Sequence, residues 1–114
     1  MTFVAIIGSR EFKYLDKVEY YAYTISLLEG FEGFITGGAI GVDKTVETFA
    51  KRYNFPCEVI RPIHPGVKQD YLFRNVEIIT KADKIIAFWD GKSRGTQFVI
   101  DYATARKKDI EVIL

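Results

Sequence analysis

The chain carries one cysteine, Cys57, and one histidine, His64, among its 114 residues. A lone cysteine forms no internal disulfide, and with one histidine it falls short of the donor set of a structural zinc site, so no metal is expected. A surplus of either charge is also missing. Sixteen Lys plus Arg stand against fifteen Asp plus Glu, a formal net charge of +1, and no global field draws the protein to nucleic acid or to an anionic membrane. Any basic site has to be local. No apolar run approaches the length of a membrane span, and the start, Thr2-Phe3-Val4-Ala5-Ile6-Ile7, has neither a basic leader region nor a small-residue cleavage site. The expectation is a soluble, cytoplasmic protein. Internal repeats, low-complexity tracts and linkers are absent too, so residues 1–114 read as a single domain.

What the chain does have is an alternation. Short apolar runs at residues 2–7, 33–37, 57–61, 83–89 and 110–114 are separated by amphipathic segments, the mark of a parallel sheet with crossover helices. Val18, Tyr21, Ala22, Ile25 and Leu28 recur at steps of three and four, and so do Val42, Val46, Phe49, Ala50 and Tyr53. Asn54 and Pro56 end the second of these segments. Leu72, Val76 and Ile79 predict a third helix, and Phe98, Tyr102, Ala103 and Arg106 a fourth. Ile6-Ile7 and Ile85-Ile86-Ala87-Phe88 are apolar on consecutive positions, which requires strands buried on both faces. The predicted fold is α/β, a Rossmann-like three-layer sandwich around a five-stranded, mainly parallel sheet.

In such sheets ligands bind beyond the carboxyl ends of the strands. Three glycine-bearing loops fall there: Gly8-Ser9-Arg10, Gly37-Gly38-Ala39-Ile40-Gly41-Val42-Asp43 and Asp90-Gly91-Lys92-Ser93-Arg94-Gly95-Thr96. Glycine lets backbone N–H groups approach an anion, and a helix N-terminus adds free donors and the positive end of its dipole. Each glycine alone is equally a turn residue, but three such loops on one edge point to phosphate binding. Arg74 and Asn75 lie within the third helix, where Asn is a poor helix former and calls for another justification.

Two literal motifs fail on inspection and a third does not occur. Gly91-Lys92-Ser93-Arg94-Gly95 fits G-x-S-x-G, but His64 precedes Ser93, whereas a nucleophile elbow has its histidine last. The stretch from Gly38 to Thr45 resembles a P-loop with Asp43 in place of its last glycine, and a carboxylate inside a phosphate cradle repels the ligand. No G-x-G-x-x-G occurs, so neither a dinucleotide fingerprint nor a resident cofactor is expected.

Taken together, Gly8-Ser9-Arg10, Gly37-Gly38-Ala39-x-Gly41-x-Asp43, Arg74-Asn75 and Asp90-Gly91-x-Ser93-x-Gly95-Thr96 resemble the SLOG superfamily over nearly the whole chain. The likeness is to its small, single-domain YspA-like branch. The superfamily also holds the cytokinin-activating phosphoribohydrolases and the DNA-processing protein DprA. The resemblance implies recognition of a nucleoside phosphate or an ADP-ribose-type signal, by a sensor or a sequestering protein of the kind found in phage and mobile elements. It implies that Gly37, Gly38 and Gly41 cradle a phosphate and that Gly91, Ser93, Gly95 and Thr96 form the facing half of the pocket. Ser9, Arg10 and Arg94 would contact the same ligand, Arg74 would neutralise phosphate, Asn75 would bond ribose or pin a loop, and Trp89 would stack on a base or simply pack. Asp43 would accept from ribose or base, or serve as a first-turn acid facing the helix dipole.

One departure bears on catalysis. The phosphoribohydrolases carry a glutamate three residues after the motif threonine, a position held here by Val99, and Asp90 replaces their opening proline. An oxocarbenium-like transition state needs that carboxylate. Asp101 lies roughly 200° further around the helix and does not substitute. Binding without turnover is therefore expected, with Asp43 and Asp90 the only candidate catalytic acids for the alternative, an N-glycosidic hydrolase. A DprA-like DNA module is the lesser alternative, and nucleic acid is judged an unlikely partner because acids match the basic residues throughout. Tyr20 and Tyr23, aromatic on what reads as a solvated helix face, lead to the expectation of a homodimer or higher oligomer.

Overall fold

The apolar runs become strands and the amphipathic segments helices. In the computed structural model, which describes residues 2–114, the order is β1 (Thr2–Gly8), α1 (Leu15–Ser26), β2 (Phe31–Thr36), α2 (Val42–Tyr53), β3 (Cys57–Val59), α3 (Lys68–Lys81), β4 (Lys84–Phe88), α4 (Arg94–Ala105) and β5 (Asp109–Ile113). The strands form one sheet in the order β3-β2-β1-β4-β5, and every pairing is parallel. The three-layer α/β architecture is as the sequence predicts.

Alternate residues of the two central strands feed two cores. Val4, Ile6, Ile86 and Phe88 pack with Val18, Ala22 and Ile25 of α1 and Val42, Val46 and Phe49 of α2. Ala5, Ile7, Ile85 and Ala87 pack on the other face with Ile78 and Ile79 of α3 and Val99 and Ala103 of α4. Both faces of β1 and β4 are thus dry, which is why consecutive positions there are apolar.

Some boundaries move. Helix α1 stops at Ser26, leaving Leu28 beyond it. Asn54, in the left-handed conformation at φ 60°, closes α2 ahead of Pro56. Strand β3 ends at Val59 rather than 61: Ile60 N–H still reaches Thr36 O at 2.9 Å, after which Arg61 and Pro62 leave the sheet. Helices α3 and α4 each begin about a turn before their first apolar residue. On α1, Tyr21 packs against the core while Tyr20 and Tyr23 are exposed. Among the described residues no helix is long and apolar enough to cross a membrane.

The strand order fixes the place of the site. From β1 the chain moves outward to β2 and β3, and from β4 it moves the opposite way to β5. The connections diverge at the carboxyl ends of β1 and β4, and a crevice opens there.

Candidate functional site

A cleft of about 740 Å³ occupies this crevice. Its walls come from every predicted loop: Gly8 at the end of β1 and Arg10 beyond it, Gly37, Ala39 and Asp43 after β2, and Asp90, Ser93, Gly95 and Thr96 after β4, with Arg74 and Asn75 from α3. Ser9 lies just beneath, 1% exposed, its Oγ 3.3 Å from Thr96 Oγ1 and accepting Asp90 N–H at 3.2 Å. Gly38, Gly41, Trp89, Gly91 and Arg94 are not on the wall. The Gly38 carbonyl accepts from Arg61. Trp89 donates from Nε1 to Ser93 O at 3.1 Å and lines a separate hollow with Phe12 and Tyr14. Gly41 is the N-cap of α2 at φ 82°, and a Cβ there would stand 2.9 Å from Arg10 O, so only glycine brings the two loops this close.

The loop after β2 is held by side chains. Arg74 Nη1 donates to Gly37 O, and its Nε donates to Asn75 Oδ1 at 2.8 Å, which leaves the Asn75 amide N–H groups as donors. Ala39 N–H donates to Asp43 Oδ2 at 3.2 Å. Asp43 is 4% exposed, and its Oδ1 has no hydrogen-bond partner. Burial pushes its carboxyl up to about 6 against the opposing pull of Ala39 N–H and the Arg74 charge. Asp43 is therefore a buried acid in the first turn of α2, with one carboxylate oxygen left without a partner.

The loop after β4 is built differently. Asp90 Oδ1 accepts from Lys92 N–H and Ser93 N–H, both at 2.9 Å, and these bonds hold its carboxyl below the usual range. Ser93 caps α4 by accepting from Thr96 N–H. The first turn of α4 beyond it carries no acid, and a Cβ on Gly95 would meet nothing within 4 Å. This helix end is open to the cleft, flanked by the Ser93 and Thr96 hydroxyls and by Lys92.

Sequence reasoning missed Glu11, Gly66, Tyr71, Ile78 and Lys92, all of which line the cleft. Tyr71 had one readable signal: it precedes Arg74 by three residues, which places the two side by side on a helix. Val99, 2% exposed, also lines the wall, so the position is apolar where the phosphoribohydrolase motif has an acid. Asp101 is exposed and accepts from Gln97 Nε2 at 2.8 Å. Among the described residues no His, Cys, Asp and Glu side chains gather in threes to hold a metal.

The fold and site define a Rossmann-like α/β domain with its cleft at the switch point, and solved structures share that fold. DNA processing protein A from Helicobacter pylori, described for its single-stranded DNA binding mode, superposes with a TM-score of 0.80 at 22% identity over 97% of this chain and 64% of that one. DNA processing protein A (DprA) from Streptococcus pneumoniae gives 0.83 at 16% identity over 100% and 50%. The structural-genomics target TM1055 gives 0.71 at 18% over 96% and 72%. The chain thus spans between half and two thirds of the two DprA chains. No family model matches the sequence, and no curated protein matches it.

These neighbours correct one expectation. Nucleic acid was set aside as a partner because the charges balance, yet the Helicobacter pylori protein of the same fold binds single-stranded DNA. The physical reason is that net charge averages over the whole surface, whereas a strand is held where a few donors converge. A total of +1 is silent on that.

Proposed function

We propose that the cleft binds the phosphate-bearing unit of a nucleotide, with the phosphate at the open N-terminus of α4. The observation that carries this reading is the placement of buried polar side chains. Ser9, Thr36, Asp43, Asn75 and Thr96 are the buried polar residues of the described chain, and all five sit at the carboxyl edge of the sheet. Burying polar groups costs stability, and three of the five, Asp43, Asn75 and Thr96, line the cleft, where a ligand would use them. The Gly95 backbone, Ser93 and Thr96 hydroxyls and Lys92 supply donors for the anion, and Asn75 and Arg74 supply more across the cleft.

The ligand on this reading is a small nucleotide derivative, a nucleoside phosphate or an ADP-ribose-type molecule, held by a sensor or sequestering protein of the YspA-like kind and not turned over. A second reading, favoured by the Helicobacter pylori neighbour, has the same phosphate belonging to a single strand. Calorimetry with a nucleoside monophosphate, ADP-ribose and a short oligothymidylate separates the two. Gly95→Glu serves as the control, because its side chain enters open space and an acid suits the first turn of a helix while repelling a phosphate. Every ligand that binds should weaken at least tenfold in that variant. Unchanged affinity puts the phosphate elsewhere.

A further inference from the structure

Tyr71 is the one aromatic side chain on the cleft wall among the described residues, and it is fixed at two points. Its phenolic oxygen accepts from Gly66 N–H at 3.1 Å. The Arg74 guanidinium carbon stands 5.4 Å from its ring centroid. The Gly66 bond holds the phenol below its ordinary value, and the charges of Arg10 and Arg74 add to that. The side chain is half-buried, whereas Phe73, two residues on, is 60% exposed and absent from the wall. A ring tied at its hydroxyl and set beside a cation has little freedom left to lose when a second flat group meets it. Ile78 and Val99 give the same cleft an apolar floor. Trp89, just past the end of β4, is committed through Nε1 to Ser93 and belongs to a different hollow, with Phe12 and Tyr14.

We infer that Tyr71 is the platform on which the base of the bound nucleotide stacks, so the ligand is a nucleotide with its base in place and not a sugar phosphate. The inference rests on the phosphate-binding reading of the cleft. It gives the two ends of the ligand separate sites, the phosphate at α4 and the base at α3. Stacking on an aromatic side chain tolerates any base, so Tyr71 selects for the presence of a base and leaves its identity to other contacts.

The test titrates adenosine 5′-monophosphate, adenosine and ribose 5-phosphate into the wild type, Tyr71→Phe and Tyr71→Leu, with the fold of each variant checked by circular dichroism. In the wild type the monophosphate should bind about tenfold or more tightly than ribose 5-phosphate. Tyr71→Leu should close that gap by weakening the monophosphate and adenosine while leaving ribose 5-phosphate unchanged, and Tyr71→Phe should keep it. The inference is overturned if the gap survives in Tyr71→Leu, if it is absent from the wild type, or if Tyr71→Leu weakens all three probes alike, as a loop anchor would. Failure of the phosphate reading looks different. Ribose 5-phosphate then does not bind, the monophosphate binds no better than adenosine, and the response of adenosine to Tyr71→Leu still decides the platform. If no probe binds, both readings fall.

Discussion

Arg74 and Asp43 reach the same glycine from different helices: a Cβ placed on Gly37 would stand 2.7 Å from Arg74 Nη1 and 2.8 Å from Asp43 Oδ2. A bare backbone is what lets two opposite charges flank the end of β2 without touching.

Gly37→Ala should therefore force one of the two aside and destabilise the protein by about 1–3 kcal/mol. Gly95→Ala, whose Cβ meets nothing within 4 Å in the first turn of α4, should instead gain roughly 0.5 kcal/mol from helix propensity. Urea unfolding of both variants checks the contrast, and equal effects would mean that Gly37 has more room than its neighbours imply.

Stability should depend on pH through Asp43. Its carboxyl titrates at about 6 when folded, against an ordinary value of 3.8, because burial disfavours the charge. Between those values the folded state holds a proton that the unfolded state has released, so this group's contribution falls as pH rises through the window and is flat on either side. The loss amounts to about 3 kcal/mol at most. Asp43→Asn removes the titration, so the stability difference between variant and wild type should shift toward the variant between roughly pH 4 and pH 7. A difference that does not change with pH would show that Asp43 titrates normally.

Turnover should be absent. Val99 lines the wall at the position where the resembled phosphoribohydrolases keep a carboxylate, so on the proposed reading binding should persist while the barrier stays high. Prolonged incubation with nucleoside monophosphates, followed by chromatography, should release no free base above background. Val99→Glu buries an unpaired carboxylate at a 2% exposed position and should lose about 3 kcal/mol of stability. Base release by the wild type that vanishes in Asp43→Asn or Asp90→Asn would assign the chemistry to one of those acids.

Salt separates a single held phosphate from an extended strand. For an oligothymidylate bound through one phosphate at α4, log affinity against log salt should have a slope of about −0.7, independent of strand length. Affinity measured across a salt series decides it, and a slope several times steeper that grows with length would mean a continuous track along the surface.

The layered fold was legible because burial on both faces of β1 and β4 leaves consecutive apolar residues in the sequence, and α1 and α2 because each turns one apolar stripe to the sheet. The edge that carries the cleft was legible too, through the glycines that end β1 and follow β2 and β4. Roles within the edge were harder to read. Nothing in Gly37-Gly38-Ala39 says that the Gly37 and Gly38 carbonyls are taken by Arg74 and Arg61, which come from residues after β3 and depend on how the crossover lands. Trp89 and Tyr71 show the same limit. The Trp89 bond to Ser93 O and the Tyr71 bond from Gly66 N–H leave no mark in the sequence.

The central pairing of β1 with β4 joins residues about eighty apart, as in Val4 beside Lys84. On a ribosome, β1 and β2 have emerged and met long before β4 exists, and α4 comes later still. The half of the molecule that carries Gly37 and Asp43 thus waits for β4 with the inner edge of β1 unpaired. A nascent chain interrupted before Lys84 lacks the wall that the loop after β4 and α4 give the cleft, so the cleft is complete only once residues 84–105 have been made.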